Sequence, residues 1–372
     1  MKLGMSAYKR NLSVFCGVVM GCLLAASGAQ AETLTYSSYL SPTAPLSKGV
    51  AAFTDMAQKK TDGKIKFQVY YSGTLASGKT TLSGLTNGLF DGGGIVSVYT
   101  PSSLPTNMVM SDLPFLNEDV RVTAAAVTDT TLNDCPQCLE EYKKLNVHFL
   151  SSMATSPFHA MCKGKFENGF DPTGLRMRTP GEELGRWIKY IGAVPIQFAN
   201  SEVYQAVQRN ALDCGIGSLV WLHTLSWQEI ANTVVNMPMG GYLGGSLINL
   251  SQNTWNKLDK SEQRAMEEAA MYGTAAMTYV FVDGTKTAVK TAKDKYHVQF
   301  VDASPKLIAE RKAFLKTELT NAATKAEGRG VKNPQLIVAA FQKNMKKWQK
   351  LIGDKDLTQE QYAQLLIDNI LK

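Results

Sequence analysis

The segment "GLRMRT", Gly174–Thr179, sets two guanidinium groups, Arg176 and Arg178, two positions apart between apolar neighbours. On an extended strand that spacing puts both on one face, and the face either meets solvent or lines a cleft suited to an anion. A guanidinium stays charged and offers paired N–H groups that match the geometry of a carboxylate. The structural alternative for Arg178 is a pair with a nearby acid, Glu182 or Glu183. For Arg176 the expected place is a solvated strand edge.

"CPQC", Cys135–Cys138, is the second stretch with chemistry in it. A redox-active pair needs its first thiol at a helix N-terminus just after a strand, where the thiol pKa falls. Here the motif follows "VTDTTLND", which reads as a helix end and loop. Zinc would need a second such pair or two histidines at ligand spacing, and neither occurs. The expectation is a local Cys135–Cys138 disulfide, with Cys162 and Cys214 as buried thiols in apolar strand-like segments. The four histidines, His148, His159, His223 and His297, fall in no nucleophile or metal motif. "DGGGIVS" lacks the phosphate-loop and dinucleotide spacings, and G-x-S-x-G and HExxH are absent. No catalytic set emerges, so a binding module is favoured over an enzyme. No metal, nucleotide or redox cofactor is expected.

The N-terminus bears on compartment. Lys2, Lys9 and Arg10 precede the uncharged apolar run from Val14 to Ala26, and Ala29-Gln30-Ala31 supplies small residues for cleavage. That order is a secretory signal, 1–31, with a lipoprotein reading on Cys22 as the weaker alternative. The chain carries 39 basic and 32 acidic side chains. Removing the segment takes away three basic and no acidic groups, leaving 36 against 32 and a net charge of +4. With no dense basic block, nucleic acid is not an implied partner.

The elements that must hold these residues alternate. "TLTYSSYL" reads as a strand, "SPTAPLSKGVAAFTDMAQKK" as a helix, "IKFQVYYSG" as a strand, "GKTTLSGLTNG" as a helix and "LFDGGGIVSVY" as a strand. The device recurs in "GLRMRT", "PGEELGRWIKYIG", "VPIQF", "SEVYQAVQRN" and "ALDCGIGS". "TNGLFDGGGIVS" and "QRNALDCGIGS" match as a helix end, a short link, an Asp and then small residues that let a backbone or ligand approach. The implied fold is α/β with two similar lobes. Beyond Trp255, Asp259 and Glu262 form a capping box that opens an unusually long helical pattern, suited to bridging two lobes.

"GLRMRTP…GAVPIQFANSEVYQAVQRNALDCGIGS", "SDLPFLNEDV" and "NTWNKLDKSEQRAMEEAA" resemble the DctP-type solute-binding proteins of TRAP (tripartite ATP-independent periplasmic) transporters. The resemblance runs from Leu34 to the C-terminus. It implies a two-lobed periplasmic binding protein, type II-like, with a hinge cleft and a helix spanning both lobes. The expected division is 32–153 plus 241–275 for the first lobe, 154–240 plus 276–340 for the second, and C-terminal helices over 341–372. It also implies a small organic acid as ligand, delivery to TRAP membrane permease subunits, a periplasmic location and a monomer. A receptor of an ATP-driven (ABC) importer is the alternative, and an exported redox protein using CPQC a more distant one.

In that family the second basic position of the "GLRMRTP" strand grips the ligand carboxylate, and here it is Arg178. Many members carry Asn at the place matching Gly217, and some carry a second arginine near Phe158 or His159. With both absent, the resemblance points to a ligand with one carboxylate. The expected contacts are Arg178, Tyr39, Ser97, Tyr99, Phe158, His159, Gly217, Ser218, Trp221 and Tyr242, with the aromatics as apolar walls.

Overall fold

The computed structural model describes residues 31–117, 119–166 and 169–371. The expected signal segment, apart from residue 31, lies outside the described residues. Among them no helix is long and apolar enough to cross a membrane.

Two sheets organise the chain. The first contains β1 (Glu32–Ser37), β2 (Ile65–Tyr70), β3 (Gly92–Gly93), β4 (Val147–Ala154) and β10 (Leu243–Ser251), in the order β2-β1-β3-β10-β4. β1 runs parallel to β2 and β3, and β10 antiparallel to β3 and β4. The second contains β5 (Phe158–Cys162), β6 (Arg176–Thr179), β7 (Val194–Gln197), β8 (Cys214–Ser218), β9 (Thr233–Val235) and β11 (Gln299–Val301), ordered β11-β9-β5-β8-β6-β7. The chain passes from the first sheet to the second between β4 and β5, returns between β9 and β10, and passes over again before β11. Helices cover these sheets, giving two α/β lobes.

The matched stretches do the same mechanical job in each lobe. Asp91 takes the backbone N–H of Thr35 on its carboxylate at 2.7 Å and donates its own N–H to Thr35 O at 3.0 Å. Asp213 does so with Arg176, at 2.8 and 2.9 Å. Each aspartate thereby satisfies the backbone of the neighbouring parallel strand where a helix feeds into the sheet. The glycines that follow serve packing. A Cβ at Gly92 would sit 2.4 Å from the Tyr36 ring, and one at Gly217 would sit 2.4 Å from the Trp221 indole. They admit core aromatics, not a ligand.

"LFDGGGIVSVY" is not the strand expected from its pattern. β3 has two residues, followed by a single bridge from Ile95 to Ser246 and a 3-10 turn at Ser97–Tyr99. β1 ends its pairing with β3 at Ser37, so the chain has no parallel partner beyond Gly93 and turns across the sheet's end.

The long helix spans Lys260–Tyr296, 37 residues and about 55 Å at 1.5 Å per residue. Asp259 accepts from Glu262 N at 2.8 Å, and the Glu262 carboxylate returns the bond to Asp259 N at 2.9 Å. The helix begins beyond β10 of the first sheet and ends before β11 of the second, with buried residues from Ala265 to Ala292.

Both cysteine pairs are disulfides. Cys135 caps the helix Pro136–Lys144 after the helical turn Thr130–Asp134, not after a strand, and is bonded to Cys138. Cys162 and Cys214 are not free thiols. They are register partners on antiparallel β5 and β8, Cα atoms 4.0 Å apart, and bonded to each other. Fifty-two residues separate them, so the pairing follows from strand order and could not be read from their local apolar surroundings.

Candidate functional site

Arg178 lies on β6, between β8 and β7, and is 1% exposed. Its Nε donates to Phe198 O at 2.9 Å, Nη1 to Ile216 O at 3.0 Å, and Nη2 more weakly to the Tyr99 hydroxyl at 3.4 Å. Three of the five N–H groups are thus engaged, and one remains on each Nη. Burial lowers the Arg178 pKa, offset by Tyr99, Glu183 and Tyr39. The neighbouring acids do not neutralise it: Glu182 pairs with Lys325, and no carboxylate of the described residues forms an ion pair with Arg178. A buried charge held only by neutral oxygens is costly unless an anion completes it. Arg176, on the same strand, is half-exposed and gripped by Asp213 at 2.7 and 3.0 Å.

Arg178 opens into a cavity of about 40 Å³. Tyr39, Val96, Tyr99, Met153 and Tyr242 line it from the first lobe, and Phe158, Pro180, Asn200 and Trp221 from the second. Met277 and Phe281, one helical turn apart on the long helix, complete the wall. Arg178 is the one charged side chain among the described residues lining it. Burial raises the Tyr39, Tyr99 and Tyr242 hydroxyls above the ordinary tyrosine range, so all three are neutral hydrogen-bonding groups. The volume holds a few waters. Contacts besides that of Arg178 with Tyr99 cross between the lobes. Asn200 N donates to the Tyr99 hydroxyl at 3.1 Å, and Lys79 meets Glu202 at 2.9 Å.

Of the expected contacts, Arg178, Tyr39, Tyr99, Phe158, Trp221 and Tyr242 converge here. Ser97 lies behind the wall, where its N–H and hydroxyl hold the Tyr242 hydroxyl, both at 3.1 Å. Ser218 bonds Ser156. His159 faces away, because alternation along β5 turns Phe158 to the cavity and its neighbour to the opposite face. Burial pushes His159 down to about 4, and its Nδ1 has no partner. Gly217 presents no group, since Trp221 and Trp227 occupy the space above it. The sequence reading missed Asn200, Met153, Met277 and Phe281. A signal for Asn200 existed: it lies three residues beyond β7, and ligands in open α/β sheets meet the carboxyl ends of strands.

Behind the site, Glu183 is buried and its Oε2 has no partner. Desolvation, with Asp112 adding, pushes its carboxyl up to about 7 against the opposing pull of its own backbone N–H, Arg186 and Arg178. A raised carboxyl pKa stabilises the fold below the ordinary value near 4.5, and that stability is lost as pH rises through about 7. Glu183→Gln is therefore expected to match wild type in thermal melting at pH 4 and to exceed it at pH 8.5, by on the order of 3 kcal/mol. Equal melting of the two proteins at both pH values would contradict this.

The C4-dicarboxylate-binding periplasmic protein DctP of Rhodobacter capsulatus is 25% identical over 336 residues, covering 84% of this chain and 92% of that protein. Among solved structures, a TRAP periplasmic solute-binding protein from Desulfovibrio salexigens is similar with a TM-score of 0.68 at 23% identity, over 87% of this chain and 98% of that one. A marine-metagenome TRAP solute-binding protein specific for aromatic acids, in complex with 3-hydroxybenzoate, gives 0.75 at 19% identity, over 88% and 100%. These structural likenesses carry the two-lobed fold. The family model for bacterial extracellular solute-binding proteins, family 7 (DctP), matches residues 36–325, and the chain belongs to that family of receptors, which is not one of enzymes.

Proposed function

We propose that the protein is the exported receptor of a TRAP transporter, capturing a small organic acid between its lobes and delivering it to the membrane permease. The observation that carries the reading is Arg178, a fully buried cation with no acidic partner, facing a cavity walled from both lobes. A carboxylate supplies the missing charge and accepts the two remaining N–H groups. With one cation and walls of Phe158, Trp221 and three tyrosines, the cavity favours a monocarboxylate with a flat or apolar body over a dicarboxylate. The relatives span both kinds: the Rhodobacter protein is named for C4-dicarboxylates, and solved neighbours hold 3-hydroxybenzoate and pyroglutamate. The signal segment 1–31, a periplasmic location, the lobe division given above, a monomeric state and independence from cofactors and nucleic acid belong to the same proposal.

The test is a thermal-shift panel of benzoate, phenylacetate, pyroglutamate, lactate, succinate, galacturonate and proline, followed by solution scattering with the best binder. Monocarboxylates should raise the melting temperature, since a ligand that binds only the folded state stabilises it. The radius of gyration should fall on binding as the lobes close. Lys79→Ala should weaken closure slightly, since an exposed pair contributes about 0.2–1 kcal/mol. A panel in which none of these acids raises the melting temperature would reject the carboxylate reading, and an unchanged radius would place the ligand on one lobe.

A further inference from the structure

The cavity wall carries one polar atom that Arg178 does not account for. Asn200 is 7% exposed, and its side-chain oxygen is buried without a hydrogen-bond partner. The residue is held firmly. Its backbone N–H is tied to the Tyr99 hydroxyl at 3.1 Å, and the turn it opens is closed by Glu202 accepting from Ala199 N at 2.7 Å. The side chain also lies close enough to Tyr39 to favour that hydroxyl's ionised form, against the larger opposing effect of burial.

Other polar groups of the wall are engaged. Thr155 accepts from Tyr242 N at 3.0 Å, Tyr242 is held by Ser97, and Tyr99 accepts from both Arg178 and Asn200. The wall therefore offers two guanidinium N–H donors in one place and one unmatched amide acceptor in another. An unmatched buried acceptor is unfavourable, and a site built to pair a donor discriminates strongly against analogues that lack one.

We propose that Asn200 is a specificity-determining residue that selects, among carboxylates, those carrying a neutral hydrogen-bond donor, a hydroxyl or N–H, in addition to the acid group. This rests on the reading of Arg178 as the carboxylate anchor and adds to it a second, neutral recognition point. Arg178 decides that an acid binds, and Asn200 decides which acid.

Calorimetry with matched pairs tests it: the hydroxybenzoates against the fluorobenzoates, pyroglutamate against cyclopentanecarboxylate, and lactate against propionate. In the wild-type protein the donor-bearing member of the best-binding pair should be favoured at least about tenfold. In Asn200→Leu, close in size and without the acceptor, the preference should fall below about twofold while affinity for the donor-free member holds within about threefold. Equal affinities in the wild type, or an undiminished preference in Asn200→Leu, would overturn the role of Asn200 and leave the carboxylate reading standing, provided Arg178→Ala still abolishes binding. Failure of every acid to bind would overturn both.

Discussion

Arg178→Ala is expected to lower affinity for the best-binding monocarboxylate by about thirtyfold to several thousandfold. Truncating one partner of a buried, hydrogen-bonded charge pair costs about 2–5 kcal/mol, and each 1.4 kcal/mol is tenfold. The effect belongs at the high end, because Arg178 is 1% exposed and no other cation among the described residues lines the cavity. Arg178→Lys should recover little. The guanidinium reaches Phe198 O and Ile216 O through Nε and Nη1 while keeping N–H groups for the ligand, and a single ammonium cannot span those directions. Both variants leave carbonyls that have lost a donor, so circular dichroism and ligand-free melting must accompany calorimetry to separate misfolding from lost recognition. A folded Arg178→Ala protein that binds within about threefold of wild type would remove Arg178 from the site.

The second large effect concerns the bond between Cys162 and Cys214. Replacing both by alanine should cost about 4 kcal/mol of stability, and replacing Cys135 and Cys138 about 2 kcal/mol, on the chain-entropy account of loop closure. The difference follows from sequence separations of 52 and 3 residues. Cys162 and Cys214 also tie β5 to β8, the strands carrying Phe158 and the Ile216 carbonyl that holds Arg178, so ligand affinity should fall with stability. For the Cys135–Cys138 pair, affinity should stay nearly unchanged. Denaturant titration with calorimetry reads both. Equal stability losses would contradict the entropic ordering, and a large loss of affinity in the Cys135–Cys138 variant would revive a functional role for CPQC.

How far a reader of the bare chain could go depended on whether a property was local. The strand–helix alternation and the capping box of Asp259 with Glu262 were legible because each is set by neighbours within a few residues. Arg178 was legible as a candidate because its strand pattern resembled a known family. That Glu182 pairs elsewhere was not, since it depends on Lys325 arriving from a distant helix. Three other features also had to wait for the tertiary structure. The Cys162–Cys214 bond is a consequence of β5 lying beside β8, and the shortness of β3 follows from where β1 runs out of partners. The replacement of a polar contact at Gly217 by Trp221 is a matter of volume. The sequence by itself determined most of the elements and the two-lobed plan, and it singled out Arg178 as a candidate anion contact. The tertiary structure alone decided which side chains share the cavity and that Asn200 stands among them, because burial and unmatched hydrogen bonds arise only when segments far apart in the chain are packed together.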